Sequence, residues 1–279
     1  MCLGILMFSL NDVMGKWLMA TYTVGQVLAL RSAAALLILL PFVFKEGWGQ
    51  IIFAQNPSLQ MLRVAFATLE AACFYWAVAY LPLVSVMTYY LAAPLYVAAV
   101  APFLLHERME LSRWIAVLLG FCGVLMVLRP SIETLTLPAL IALIGSVLFA
   151  GLIISTRMLK GTSSLSLIVW QTVGALLFGA ALLPFGWVQP SLRDLGLLSL
   201  LGVVAMLAHM LVAKALKVAP AAVVSPFQYT LIVWAVLFGW LAFGDWPDNW
   251  MILGAVVIVA SGLYLLWHEG QAKPSAVVA

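Results

Sequence analysis

The chain has 279 residues, of which 66% are hydrophobic and only 8% are charged. A soluble protein carries about 25% charged residues to cover its surface, so this composition excludes a soluble fold and makes lipid the solvent. The net charge of +3 is too small to point to nucleic acid, and its basic residues read instead as orientation signals.

A helix needs roughly 20 apolar residues to cross the hydrocarbon core. In chain order, apolar runs bounded by Pro, Gly and charges predict helices 1 to 10 at 2–21, 26–44, 61–81, 84–105, 112–129, 137–159, 165–186, 194–218, 222–243 and 249–268. Met1-Cys2-Leu3-Gly4 enters the first run without a basic stretch or a cleavage site, so it reads as helix 1 and not as a signal peptide. Leu81-Pro82-Leu83 and Ala219-Pro220-Ala221 are tight reversals, because proline disfavours a helical residue before it. Cys2, Cys73 and Cys122 all fall in apolar runs and read as packing residues, not as a disulfide framework or metal site.

With the N-terminus in the cytoplasm, Lys45, Arg63, Arg108, Arg113, Arg157, Lys160, Lys214, Lys217 and Lys273 fall on the cytoplasmic side. Lys16, Arg31, Arg129 and Arg193 fall on the other. The bias places both termini inside. The chain also repeats itself. Pro82 and Pro220, and Glu107 and Asp245, are 138 residues apart; Phe8 and Phe149, Lys16 and Arg157, and Ala34 and Ala175 are 141 apart. Five helices per repeat is an odd number, so the second copy enters the membrane inverted, the plan of secondary transporters with a site at the midplane. The expected fold is therefore all-α and integral to the membrane, with ten transmembrane helices in two inverted five-helix repeats. Its expected parts are residues 1–130, residues 131–270 and a cytoplasmic tail, 271–279.

Asn11-Asp12-Val13-Met14-Gly15-Lys16-Trp17 and Arg31 open the first half. Tyr80-Leu81-Pro82-Leu83, Ala92-Ala93-Pro94-Leu95, His106-Glu107-Arg108 and Gly120-Phe121-Cys122-Gly123-Val124 follow in order. Together they resemble an EamA-type repeat of the drug/metabolite transporter superfamily, and the resemblance runs over nearly the whole chain. It implies ten helices, transport without ATP, and a central cavity lined by helices 1, 3, 4, 6, 8 and 9. One branch it resembles exports aromatic and other amino acids. Another carries S-adenosylmethionine and shares the Asn-Asp pair with a downstream Lys, and a Pro-x-x-Tyr in helix 9. That stretch is Pro226-Phe227-Gln228-Tyr229 here, with Gln228 where that branch has a basic residue.

An ionised side chain at membrane depth costs about 2.5–3.5 kcal/mol on the insertion scale and marks function by default. Of the ten acidic residues, only Asp12 and Glu70 lie well inside predicted helices. Asp12 and Lys16 are four apart on one helix face and can pair, serving either as a polar coupling point or as a neutralised packing pair. Arg31 either locks helix 2 or gates a mouth. Glu70 either exchanges protons or holds helices together. His209, deep in helix 8, is a proton-exchange group or a packing histidine. Tyrosine hydroxyls at depth need partners, so Tyr75, Trp76, Tyr89, Tyr90 and Tyr229 are expected, with Asn11, His209 and Gln228, to bind substrate. Trp48, Trp187, Trp246, Trp250 and Trp267 read as interfacial belts. Gly120, Gly123, Gly254, Ser261 and Gly262 suit close helix packing or a dimer face.

No Walker motif, His-Glu-x-x-His or nucleophile elbow is present, so the chain reads as no enzyme, with no catalytic residue, cofactor or metal. The leading expectation is a bacterial-type inner-membrane secondary transporter that exports amino acids by alternating access. Its partners would be a small-molecule substrate and the lipid bilayer, and it would act as a monomer in preference to a dimer. An uptake carrier or exchanger, for example of S-adenosylmethionine, and an integral-membrane lipid-modifying enzyme are the alternatives.

Overall fold

The computed structural model describes residues 2–52, 56–93, 95–97, 99–100, 111–128, 136–159, 161–218 and 230–271. Among them, and besides one helical turn at Trp48–Ile52, ten helices follow in chain order: α1 (Cys2–Met19), α2 (Val24–Glu46), α3 (Pro57–Tyr80), α4 (Leu83–Tyr90), α5 (Leu111–Leu128), α6 (Leu137–Met158), α7 (Ser164–Leu182), α8 (Leu192–Val218), α9 (Thr230–Phe243) and α10 (Asn249–Gln271). No strand occurs among the described residues. Val24–Glu46, Pro57–Tyr80, Leu137–Met158, Ser164–Phe185 and Leu192–Val212 are each long and apolar enough to cross a membrane unaided.

The ends are set by local chemistry. Thr23, Asn56 and Ser163 cap α2, α3 and α7 by accepting the backbone N–H of Gln26, Leu59 and Ser166, which satisfies donors the first turn leaves free. Pro82 reverses the chain between α3 and α4. Helix 4, expected to run unbroken over 84–105, is interrupted by a turn at Leu91–Ala92, and residues 93, 95–97 and 99–100 are helical again. Pro94 and residues 101–110 lie outside the described residues, as do Gln228 and Tyr229.

The packing obeys an exchange of halves. α1 packs on α8, and its counterpart α6 packs on α3. α1 meets α9 as α6 meets α4, and α2 meets α8 as α7 meets α3. The pairs α2 with α7, α4 with α9 and α5 with α10 map onto themselves and lie on the symmetry axis. Direction follows from contacts. Arg63, near the start of α3, reaches Thr156 at the end of α6; further along, Cys73 lies beside Gly145. α3 and α6 therefore run antiparallel. α1 and α3 run the same way through two reversals, so α6 opposes α1. The repeats are inverted.

Small residues allow these approaches. A Cβ on Gly123 would meet the Gly254 carbonyl at 2.9 Å and Ile258, so this small-residue face serves the α5–α10 contact within the chain. At the axis between α2 and α7, a Cβ on Gly179 would meet the Ala29 nitrogen at 2.5 Å and the Gly25 carbonyl at 2.7 Å. Backbone cannot yield there as a flexible side chain can. We expect Gly179→Leu to cost about 1–3 kcal/mol by overpacking, read as a lowered unfolding temperature in detergent. Gly196→Ala, where a Cβ meets nothing within 4 Å, is expected to leave that temperature unchanged.

Candidate functional site: a cavity between the halves

A cavity of about 230 Å³ lies between the two halves, walled by α1, α2, α3, α4, α6, α7, α8 and the first turns of α9. α2 and α7 join the six helices expected to line it, because Gly202 on α8 and Gly179 on α7 let α2 move inward. A Cβ on Gly202 would collide with the Arg31 carbonyl.

One wall is aromatic. Tyr75, Phe74, Tyr90 and Phe149 form a continuous series, with ring centroids 5.5, 5.6 and 5.9 Å apart in turn. Glycines seat the two tyrosines: the Tyr75 ring lies over Gly15 of α1 and the Tyr90 hydroxyl over Gly145 of α6. The Tyr90 hydroxyl donates to the Glu70 backbone carbonyl at 3.3 Å.

The other walls carry the deep polar groups. Asn11, Asp12, Arg31, Glu70, Gln171 and His209 all border the cavity. Arg31 donates through Nη1 to the Tyr75 hydroxyl at 2.6 Å, and its guanidinium carbon lies 4.8 Å from that ring's centroid. Asp12, 8% exposed, accepts from Asn11 Nδ2 at 3.1 Å. Asp12 and Glu70 both lie within electrostatic reach of Arg31. Asn11 Oδ1 is buried and has no partner among the described residues.

Lys16 does not pair with Asp12. Its ammonium runs to the end of α1 and meets Asp245 Oδ2 at 2.6 Å, 4.5 Å from the centre of the Phe243 ring. A long lysine stem favours carrying its charge towards the interface. Gly244, at φ 70°, turns the chain after α9 so that Asp245 is there to receive it. Trp76 and Tyr89 stand outside the cavity wall. Trp76 tilts against Tyr80 at 4.8 Å, and Tyr80 is itself 65% exposed. Tyr89 is one residue from Tyr90, about 100° around the helix, and is buried in the core.

The sequence reading missed how this end of the bundle is fastened. Alongside Lys16–Asp245, the Tyr22 hydroxyl donates to Asp194 Oδ2 at 2.7 Å. That bond, with burial and the negative charge, raises the Tyr22 phenol above its ordinary pKa. Thr23 donates to the Gly186 carbonyl at 3.1 Å. The Gln26 amide bonds both backbone groups of Val188, at 2.5 and 3.1 Å. Every one of these contacts joins the α1–α2 corner to the second half.

Residues 1–129 and 136–267 each match the EamA-like transporter family. The chain belongs to the EamA-like transporter family. It is a multi-pass membrane transporter, and the lipid-modifying-enzyme alternative falls, since this family and the relatives it resembles transport solutes. The S-adenosylmethionine uptake transporter of Rickettsia prowazekii (strain Madrid E) is 24% identical over 98% of this chain and 93% of its own length. A riboflavin transporter of Vibrio cholerae is 29% identical over 85% of this chain and 80% of its own. A pseudopaline exporter of Pseudomonas aeruginosa is 26% identical over 92% and 91%. A crystal structure superposes with a TM-score of 0.69 over 94% of both chains at 15% identity, a likeness of fold.

In this EamA-type chain the fastened end must open for a solute to pass. With Cys2, Cys73 and Cys122 replaced by Ala, a Ser32→Cys reporter in the cavity reads access from the α1–α2 end. We expect Asp245→Asn to raise its labelling by an impermeant thiol reagent about tenfold, the equivalent of one charge-assisted bond. An unchanged rate would remove this ion pair from the fastening.

Proposed function

We propose that this carrier exports amino acids, aromatic and other amphipathic ones, and their zwitterionic derivatives by alternating access. The observation that carries the reading is the gathering of Asp12, Glu70 and the unpartnered Asn11 Oδ1 around one cavity that also has an aromatic wall. A solute ammonium finds acceptors and negative charge there. Its ring or apolar body finds Phe74, Tyr75, Tyr90 and Phe149, at about 0.5–1.5 kcal/mol per aromatic pair, with cation–π contact beside it. Arg31, already held by Tyr75 and facing two carboxylates, serves as the local counter-charge.

The excess of Lys and Arg supports both termini in the cytoplasm of a bacterial inner membrane, with the fastened end outside. The small-residue faces are used within the chain, which supports a monomer. Repeats at 1–130 and 131–270 with a cytoplasmic tail at 271–279 fit this plan. A second reading, uptake of a sulfonium amino acid, is favoured by the match to S-adenosylmethionine uptake transporters along almost the entire chain. It uses the same acceptors for a second positive centre.

Proteoliposomes loaded inside or outside with radiolabelled amino acids, S-adenosylmethionine or riboflavin separate these readings and the direction. We expect Asp12→Asn to lower transport of ammonium-bearing solutes about tenfold or more, the scale of a charge-assisted bond. Tyr90→Leu is expected to lower aromatic solutes more than small aliphatic ones. Variants are first checked for monodispersity in detergent. Riboflavin transported in preference to every amino acid overturns the reading.

A further inference from the structure

Arg63 on α3 is 5% exposed, and no carboxylate pairs with it among the described residues. Its three nitrogens are instead spent on three neutral acceptors. Nε donates to Thr156 Oγ1 at 2.8 Å, Nη1 to the Leu167 carbonyl at 3.0 Å and Nη2 to Gln171 Oε1 at 3.2 Å. Thr156 gives its own proton to the Leu152 carbonyl at 2.7 Å, so its oxygen is free to accept.

These bonds fix an orientation. A guanidinium only donates, so the end of the Gln171 amide turned to Arg63 is its oxygen. The other end, Nε2, stands 3.2 Å from His209 Nε2. An amide nitrogen also only donates, so His209 Nε2 accepts and the ring proton sits on Nδ1. A proton on Nε2 would set two donors face to face, and turning the amide over would set its NH2 against Arg63. Phe8 holds the ring plane edge-on, with centroids 4.8 Å apart and planes at 83°. His209 borders the cavity, and its Nδ1 meets no acceptor among the described residues. The two charged side chains within electrostatic reach of it, Arg31 and Arg63, are both cations, and they favour an anionic group beside it.

We propose that Arg63 and Gln171 are positioning residues that hold His209 neutral with its proton on Nδ1, so that His209 donates a hydrogen bond to an oxygen of the transported solute. That oxygen belongs to the carboxylate where the solute is an amino acid. His209 is then a recognition group, not a proton carrier. It reads one pole of the zwitterion while Asp12, Glu70 and Asn11 read the other. The identity of the acceptor rests on the proposed substrate class; the position of the proton does not.

Nitrogen-15 NMR of full-length protein in nanodiscs, labelled at histidine in a His106→Gln, His268→Gln background, observes His209 alone. The expected spectrum shows Nδ1 protonated and Nε2 bare. In Gln171→Glu the carboxylate accepts from both sides, and the proton is expected to appear on Nε2. In proteoliposomes the KM of an aromatic amino acid, relative to that of its decarboxylated amine, is expected to rise about tenfold in His209→Phe, the weight of one hydrogen bond to a charged group. His209→Gln keeps a donor and is expected to stay within a few-fold of the parent. A parent with Nε2 protonated, or a His209→Phe variant with an unchanged ratio, overturns the proposal. If His209→Phe is not monodisperse, the shift of the Nδ1 resonance on adding amino acid against amine decides it. A parent that moves no amino acid overturns the substrate reading alone. The Nδ1 resonance is then titrated with S-adenosylmethionine and riboflavin, and the absence of a shift with every solute overturns the hydrogen-bonding role.

Discussion

The cost of holding charge in hydrocarbon governs how this bundle is organised. Each ionised group at depth is worth a penalty of about 2.5–3.5 kcal/mol if left facing lipid. The helices are therefore rotated so that Asp12, Arg31 and Glu70 share one interior space. Arg63 is covered and given three oxygen acceptors. The outward faces are left to side chains such as Leu37, Leu118, Leu177 and Leu241, all exposed. Those residues would be a liability in water, and in lipid they are the correct surface. A cavity in the middle follows from the same constraint, because charged side chains cannot pack as tightly as leucines and still find partners.

Inversion gives that cavity its second property. Exchange of halves maps α1–α8 onto α6–α3 and leaves α2–α7 on the axis. A contact that closes one end thus has a counterpart position at the other. Lys16 corresponds to Arg157 and Asp245 to Glu107 by the spacing of the repeat. The sequence symmetry is approximate, with a lysine and an aspartate at the fastened end and an arginine and a glutamate at the counterpart positions.

Much of the fold was legible because lipid imposes simple rules. Length of apolar run and the position of Pro82 mark the helices, and an odd number of helices per repeat forces inversion. What failed did so for local reasons. The Asp12–Lys16 pairing used helical spacing alone and ignored the reach of a lysine stem towards Asp245, which is adjacent only after the chain has folded. Sequence depth groups Tyr89 and Trp76 with Tyr75 and Tyr90, because depth is legible and helix rotation is not. A helix that is apolar on all sides carries little periodic signal to show which face looks inward. Arg63 reads in the sequence as an orientation signal. Its role in setting Gln171 and His209 depends on three helices meeting, which no spacing within one of them reveals.

The magnitudes bear on how such a bundle can turn solute binding into movement. Five hydrogen bonds fasten the α1–α2 corner to the second half. At a net of about 0.5–1.5 kcal/mol for each of the three neutral bonds and about 1.5–3 kcal/mol for each of the two to a charged group, they amount to about 4.5–10.5 kcal/mol. A solute bound at millimolar to micromolar strength supplies about 4–8 kcal/mol. The two ranges overlap, so a solute that binds the opened arrangement better than the fastened one can shift the equilibrium between them. It does so only by its difference in affinity for the two. Groups whose geometry changes as the halves rock are the ones that can supply that difference. Gln171 and His209 of the second half, tied to Arg63 of the first, form such a bridge at the cavity wall. Rigid-body rocking alters such a bridge, whereas Phe74, Tyr75 and Tyr90 move together with the first half and Phe149, at the end of the aromatic series, moves with the second. On the proposed reading, the aromatic wall selects what is held, and the Arg63–Gln171–His209 bridge couples holding it to opening.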